Sequence, residues 1–119
     1  MKKIIIIGGG IGGLCAAIAL QKAGIEAHVY EKVPRIKGLG AGITLSINAI
    51  LALRKIGIEE ALLKAGQALQ SMSILDEKGK TIAQTDLKPV AKRYGTTNFS
   101  IHRAKLHEIL IAHLQPATL

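Results

Sequence analysis

Three glycines, Gly8, Gly10 and Gly13, stand in a Gly-x-Gly-x-x-Gly spacing, and an acid, Glu31, follows eighteen residues after the last of them. Residues of these types at this spacing bind a diphosphate joined to a sugar. The first glycine allows a tight turn, the second lets a pyrophosphate approach the backbone, and the third lets a helix pack closely on a strand. A helix starting there aims unpaired N–H groups and the positive end of its dipole at the phosphates. A carboxylate at position 31 can accept hydrogen bonds from both hydroxyls of a ribose. The chemistry read from these residues is dinucleotide binding.

The elements needed to position them are legible on either side. Ile4-Ile5-Ile6-Ile7 is a β-branched run that reads as a short strand buried on both faces, as in the centre of a parallel sheet. Leu14 to Ala23 is rich in strong helix formers, with small residues where it must lie against the sheet, and Gly24 is placed to stop it. Glu26 to Tyr30 reads as a second strand that ends on Glu31. Strand, glycine turn, helix, strand and acid arrive in the order that a nucleotide-binding βαβ unit requires.

The 119 residues are enough for one small domain, at the low end for a dinucleotide fold with helices on both faces. Aliphatic residues abound and aromatics make up 3%, which suits a packed α/β core. A single cysteine excludes an internal disulfide and fits a reducing, cytoplasmic compartment; Cys15, among alanines, reads as a packing residue. The net charge of +8 is spread from Lys2 to Lys105 in runs no longer than two. With few aromatics and no recognition-module signature, nucleic acid is not an expected partner. Met1-Lys2-Lys3 and the uncharged stretch from Ile4 to Leu20 imitate a signal peptide, but five of those residues are glycines in a phosphate-binding pattern. No other stretch approaches the length of a membrane span, and no membrane association is expected.

Farther along, Lys32 to Leu39 reads as a loop, in which Lys32, Arg35 and Lys37 either bring cations near the phosphates or are solvated charges. Gly40 to Leu45 is a small-residue turn entering a short strand, where glycines permit close approach to a flat ligand. Ser46-Ile47-Asn48 offers capping side chains for a helix over 49–56 closed by Gly57, and 58–65 reads as another short helix ending near Gly66. Ser71–Asp76 and Lys80–Thr85, joined by Glu77-Lys78-Gly79, read as a β-hairpin. Leu87 to Thr97 reads as loop. In the last segment Leu106, Ile109, Leu110, His113 and Leu114 form a helical stripe with Arg103 at its entrance, where a cation opposes the helix dipole unless an anion lies beside it. His28, His102, His107 and His113 lack metal-ligand spacing and read as surface or helix-face residues; no metal ligand is assigned.

Taken together, Gly8-x-Gly10-x-x-Gly13-Leu14, Gly24, Glu31-Lys32, the segment Gly40 to Leu45 with Asn48-Ala49, and His102-Arg103-Ala104-x-Leu106 resemble the flavin-dependent aromatic-ring hydroxylases of the salicylate/para-hydroxybenzoate hydroxylase type. The resemblance covers nearly the whole chain. It implies an α/β fold, with a Rossmann-like FAD-binding βαβ unit carrying an added β-hairpin and helices, in an incomplete form. Residues 1–119 would be the N-terminal portion of an FAD/NAD(P)-binding domain, since the family's later Asp-Gly and Gly-Asp motifs and its substrate region have no counterpart here. By resemblance, FAD is bound by Gly8, Gly10, Ile11, Gly12, Gly13, Glu31, Lys32, Gly42, Ile43 and Arg103. Lys37 stands where arginine is common, and Ile47 where proline usually precedes the asparagine.

The function that the resemblance implies is monooxygenation: NAD(P)H reduces the FAD, and one atom of O2 goes to an aromatic or similar small molecule. The cofactor carries that chemistry, and no catalytic side chain is assigned. A dehydrogenase NAD-binding unit explains the first 31 residues equally well, but neither Gly40–Ile43 nor a hairpin where βαβ alternation would continue. The third alternative is a non-catalytic nucleotide-binding or assembly fragment. For the isolated 119 residues the expectation is weak or no FAD retention, no turnover, and self-association through exposed interior.

Overall fold

Isoleucines 4–7 form β1 (Ile4–Ile7), which pairs in parallel with β2 (Ala27–Tyr30), Ile4 opposite Ala27 and Ile7 opposite Tyr30. The computed structural model describes residues 3–33 and 41–119. The crossover between the two strands is α1 (Ile11–Lys22), which buries Leu14, Ala17 and Ile18 at helical spacing. A 12-residue helix is marginal on its own, so this stripe holds it. It ends at Gly24, whose φ of +72° lets its N–H reach the Gln21 carbonyl at 3.1 Å while the Ile25 N–H reaches Leu20 at 2.9 Å.

One expectation for β1 is corrected. It is not buried on both faces: Ile5 is 61% and Ile7 81% exposed, whereas Ile4 and Ile6 are half-buried. Period-2 alternation sends odd and even residues to opposite faces, and among the described residues only the face carrying Ile6 meets the core.

The middle of the chain builds a second, antiparallel sheet. β3 (Gly42–Leu45) leads into α2 (Ile47–Lys55), α3 (Glu59–Ala65) and the two-residue β4 (Gln67–Ala68). β7 (Phe99–His102) lies between β3 and β4, so the strand order is β3-β7-β4. The sequence reading assigned Phe99–His102 no element. Four residues are too few to show a period, and it is the pairing of Gly42 with His102 and Leu45 with Phe99 that makes them a strand. Gly57, at φ +82°, ends the α2 turn, and Arg54 ties α2 to α3 through a two-pronged contact with Glu59, Nη2 to Oε1 at 2.9 Å. β5 (Ser71–Leu75) and β6 (Thr81–Asp86) form the expected hairpin around a turn in which the Asp76 carboxylate accepts the Lys78 and Lys80 amides. Every position of both strands is exposed.

The expected loop over 87–97 instead contains α4 (Lys88–Tyr94). Pro89 stands in its first turn, where a missing N–H costs nothing, and the Asp86 carboxylate accepts the Lys88 N–H at 3.0 Å. Gly95 closes the helix in the left-handed conformation. Proline and glycine, taken as loop markers, are here the start and stop of one short helix.

The chain finishes in α5 (Arg103–Ala112), which packs on α1 and α3. Leu106 and Leu110 of α5, Leu14 of α1, Ile50 of α2, Leu62 of α3 and Ile58 just before α3 are fully buried in one core. Each such side chain contributes about 1.5–3 kcal/mol on burial, so this core outweighs the surface ion pairs by far. No helix among the described residues is long and apolar enough to cross a membrane. Arg35, Lys37 and Gly40, singled out above, lie outside the described residues.

Gly66 marks where α3 meets the second sheet. A Cβ there would overlap the Phe99 ring and stand 2.5 Å from the Ser100 carbonyl oxygen. Gly66→Ala is therefore expected to destabilise the protein by about 1–3 kcal/mol, the cost of overpacking. Urea unfolding of both proteins measures it, and an unchanged midpoint would show that α3 can shift freely.

Candidate functional site

The glycine turn hangs from the end of β2 by a hydrogen bond from the Gly8 N–H to the Tyr30 carbonyl, 2.8 Å. Gly8 has φ +107°, a conformation that side chains other than glycine rarely adopt. Gly13 lies so close to the start of the turn that a Cβ would overlap the Gly8 carbonyl oxygen. By contrast, a Cβ on Gly10 or Gly12 would meet nothing within 4 Å. One glycine thus permits helix and strand to touch, and the other two leave an open face in front of the helix. The first intrahelical bond of α1 runs from the Leu14 N–H to the Gly10 carbonyl, 3.0 Å, so the amides of Ile11, Gly12 and Gly13 have no partner one turn back.

Glu31 follows the last residue of β2, and its carboxylate turns toward the glycine turn. Oε2 accepts the Gly9 N–H at 2.6 Å and Oε1 accepts the Val33 N–H at 2.9 Å. These amides, Val33 foremost and then Gly9, hold the carboxyl below its ordinary value, with smaller contributions from the Lys32 amide and the charge of His107. Each carboxylate oxygen keeps a further lone pair for a ligand. Lys32 is exposed at the start of the following loop.

The remaining candidates lie on the second sheet and α5. Gly42 is exposed at the head of β3 with open space where a Cβ would point, and Ile43 is half-buried against the core. Because Gly42 pairs with His102, β3 begins beside the entrance of α5, and the Arg103 N–H is bonded to the Ala41 carbonyl at 3.0 Å. Arg103 is exposed, and its guanidinium forms no salt bridge among the described residues. The structure therefore gathers Gly8 to Gly13 with Glu31, and separately Gly42 and Ile43 with Arg103.

The link between these two groups is a residue that the sequence reading placed on the surface or a helix face. His107 is buried, and its Nε2 donates to the Gly9 carbonyl at 2.5 Å. A carbonyl has no hydrogen to give, so Nε2 carries the proton. His107 lies beside Leu106 and three residues before Leu110, on the inward stripe. That position was the available signal, since a buried imidazole requires a polar partner. Asn98 was missed as well: its Oδ1 accepts the Ile47 N–H at 3.2 Å, whereas Ser46 bonds to Asn48 and leaves the α2 amides alone. Cys15 is half-buried, and burial pushes its thiol up, away from the reactive thiolate. No group of three or more metal-ligating side chains exists among the described residues.

A glycine turn between a parallel strand and a helix, with an acid at the end of the next strand, defines the class of nucleotide-binding βαβ domains. The chain belongs to the FAD binding domain family, whose model matches residues 1–118. It is 37% identical over 107 residues to an aurachin C monooxygenase/isomerase of Stigmatella aurantiaca, covering 90% of this chain and 28% of that protein. It is also 37% identical over 114 residues to a 6-hydroxynicotinate 3-monooxygenase of Pseudomonas fluorescens, covering 94% and 30%. The crystal structure of Klebsiella pneumoniae HpxO complexed with FAD and uric acid superposes with a TM-score of 0.80 at 33% identity, over 93% of this chain and 28% of that one. The chain thus spans less than a third of the length of these relatives.

The depressed carboxyl of Glu31 sets a pH dependence. A group whose pKa is lower folded than unfolded stabilises the fold above its unfolded value, near 4.5, and that stabilisation is lost as pH falls through the folded value. Glu31→Gln, which cannot accept both amides and does not titrate, should flatten the acid limb of a stability-versus-pH curve below about pH 4.5. An acid limb identical to the wild type's would show that the two amide bonds contribute nothing.

Proposed function

We propose that this chain supplies the adenosine-diphosphate end of an FAD site in a flavin-dependent monooxygenase that uses NAD(P)H and O2 on an aromatic or similar small molecule. One observation carries the cofactor reading: the Glu31 carboxylate is bonded to the Gly9 N–H in the glycine turn at the head of α1, where Gly10 and Gly12 leave open space. The amides of Gly10, Ile11, Gly12 and Gly13 would hold the diphosphate, Gly8 would shape the turn, and Glu31 would accept the ribose hydroxyls. Lys32 would lie by the adenosine, the backbone of Gly42 and Ile43 would meet the flavin ring, and Arg103 would contact the cofactor. FAD, when bound, supplies the redox chemistry; these residues bind and orient it.

The activity rests on relatives named as monooxygenases, and the small aromatic substrate class on 6-hydroxynicotinate and uric acid in their names. A reducing, cytoplasmic setting belongs to the same reading and draws on the single free thiol of Cys15. Self-association of the isolated chain is supported by the exposed Ile5 and Ile7 beside one another's alternate positions on β1.

Titration of the 119-residue protein with FAD, followed by flavin fluorescence, should show weak binding that ADP competes away. Gly13→Ala should weaken it by about tenfold or more, since α1 must move off β1 to admit the methyl group. No NAD(P)H oxidation is expected from these residues alone. In a protein of the relatives' length, a flavin absorption band and NAD(P)H consumption stimulated by an aromatic substrate are expected. Preference for NAD over FAD would overturn the reading, as would turnover by the 119 residues alone.

A further inference from the structure

We propose that His107 is a positioning residue for the glycine turn, a tether from α5 that holds the Gly9 carbonyl while Glu31 holds the Gly9 N–H. Gly9 occupies a position that the glycine fingerprint leaves unspecified, yet it is buried. A buried residue must have both its backbone N–H and its C=O satisfied. Neither bond is made within the turn. The N–H goes to Glu31 Oε2 at 2.6 Å, and the C=O receives the Nε2 hydrogen of His107 at 2.5 Å, 98 residues away in sequence. Glu31 therefore holds the Gly8–Gly9 peptide, and His107, from a different part of the chain, holds the Gly9–Gly10 peptide, immediately before the free amides of α1.

The geometry makes His107 the hinge between the two groups of candidate residues. Arg103 precedes it by four residues, about one helical turn, so both side chains project from the same side of α5. Gly42 pairs with His102 at the same helix entrance. A bond from His107 to Gly9 thereby sets where Arg103 and β3 stand relative to the glycine turn. Its side chain is within the bundle of buried residues, flanked by Leu106 and Leu110, so the imidazole cannot swing to water in exchange. The role in nucleotide binding rests on the FAD reading above; the tether itself does not.

Two variants separate the hydrogen bond from packing. His107→Leu keeps an apolar side chain of similar reach and removes the donor, and His107→Gln restores an N–H donor. In the protein without nucleotide, NMR-detected amide exchange at Gly9 should accelerate by about tenfold or more in His107→Leu, relative to core amides such as Leu110. It should return to within a few-fold of wild type in His107→Gln. Affinities for FAD and for ADP should follow the same order, with about a tenfold loss in His107→Leu and recovery in His107→Gln. Wild-type Gly9 exchange in His107→Leu overturns the proposal, and so does an equal loss in both variants that merely tracks their melting temperatures. If Gly9 exchange follows His107 while the wild-type protein binds neither FAD nor ADP, the tether stands and the cofactor reading falls.

Discussion

The architecture depends on one close approach: Gly13, in the first turn of α1, lies against the carbonyl oxygen of Gly8 with no room for a methyl group. That contact sets the height of α1 above the parallel pair. From it follow the burial of Leu14, Ala17 and Ile18, the docking of α5 on α1, and the direction in which the unbonded amides of α1 point. A helix displaced by even the size of a methyl group would lose packing on both sides at once, because close-packed interiors transmit such shifts instead of absorbing them. The phosphate-facing geometry and the hydrophobic core are one constraint viewed from two ends.

The rest of the fold brings distant chain to that contact. β7 is central in its sheet and delivers the polypeptide directly into α5, so β3, β7 and the α5 entrance form a rigid unit. Two bonds at the far end of α5 hold it to α1: Gln21 donates to the His113 carbonyl at 3.0 Å and accepts the Gln115 N–H at 2.8 Å. Near the middle of α5, His107 meets Gly9, just ahead of α1. Polar groups thus join α5 to the end of α1 and to the turn ahead of α1, which fixes its axial register where Leu and Ile contacts alone would allow sliding.

Local features were legible in the sequence wherever a residue's own conformation decided the outcome. Gly8 and Gly24 adopt positive φ and the 71–86 hairpin closes on Gly79, whereas α1 starts at Ile11, inside the glycine run and three residues before the Leu14 start read from its helix formers. What escaped was decided by partners far away in the chain. Phe99–His102 becomes a strand only through β3 and β4, and Asn98 caps a helix that begins 51 residues earlier. His107 looks like any helical histidine until Gly9 is placed beneath it. The run Ile4–Ile7 misled for a related reason, because β-branched residues report strand propensity and not how many faces are covered. Pro89 and Gly95 misled in the opposite direction, being read singly when their six-residue spacing marked the two ends of α4.

The distribution of charge ties these elements to the proposed ligand. Neither α1 nor α5 has an acidic residue in its first turn, where carboxylates usually complement the helix dipole. α5 goes further and opens on Arg103, an arrangement that costs a few tenths to about 1 kcal/mol when no anion is near. Glu31 stands close to the head of α1, but backbone amides already hold its charge. α3 shows that the chain can place acids in a first turn, since it begins with Glu59 and Glu60. Four of the five helices among the described residues, α1, α2, α4 and α5, begin without an acid in the first turn, and α5 begins on an exposed arginine. In the proposed site, an anionic part of the cofactor beside Arg103 would offset that cost.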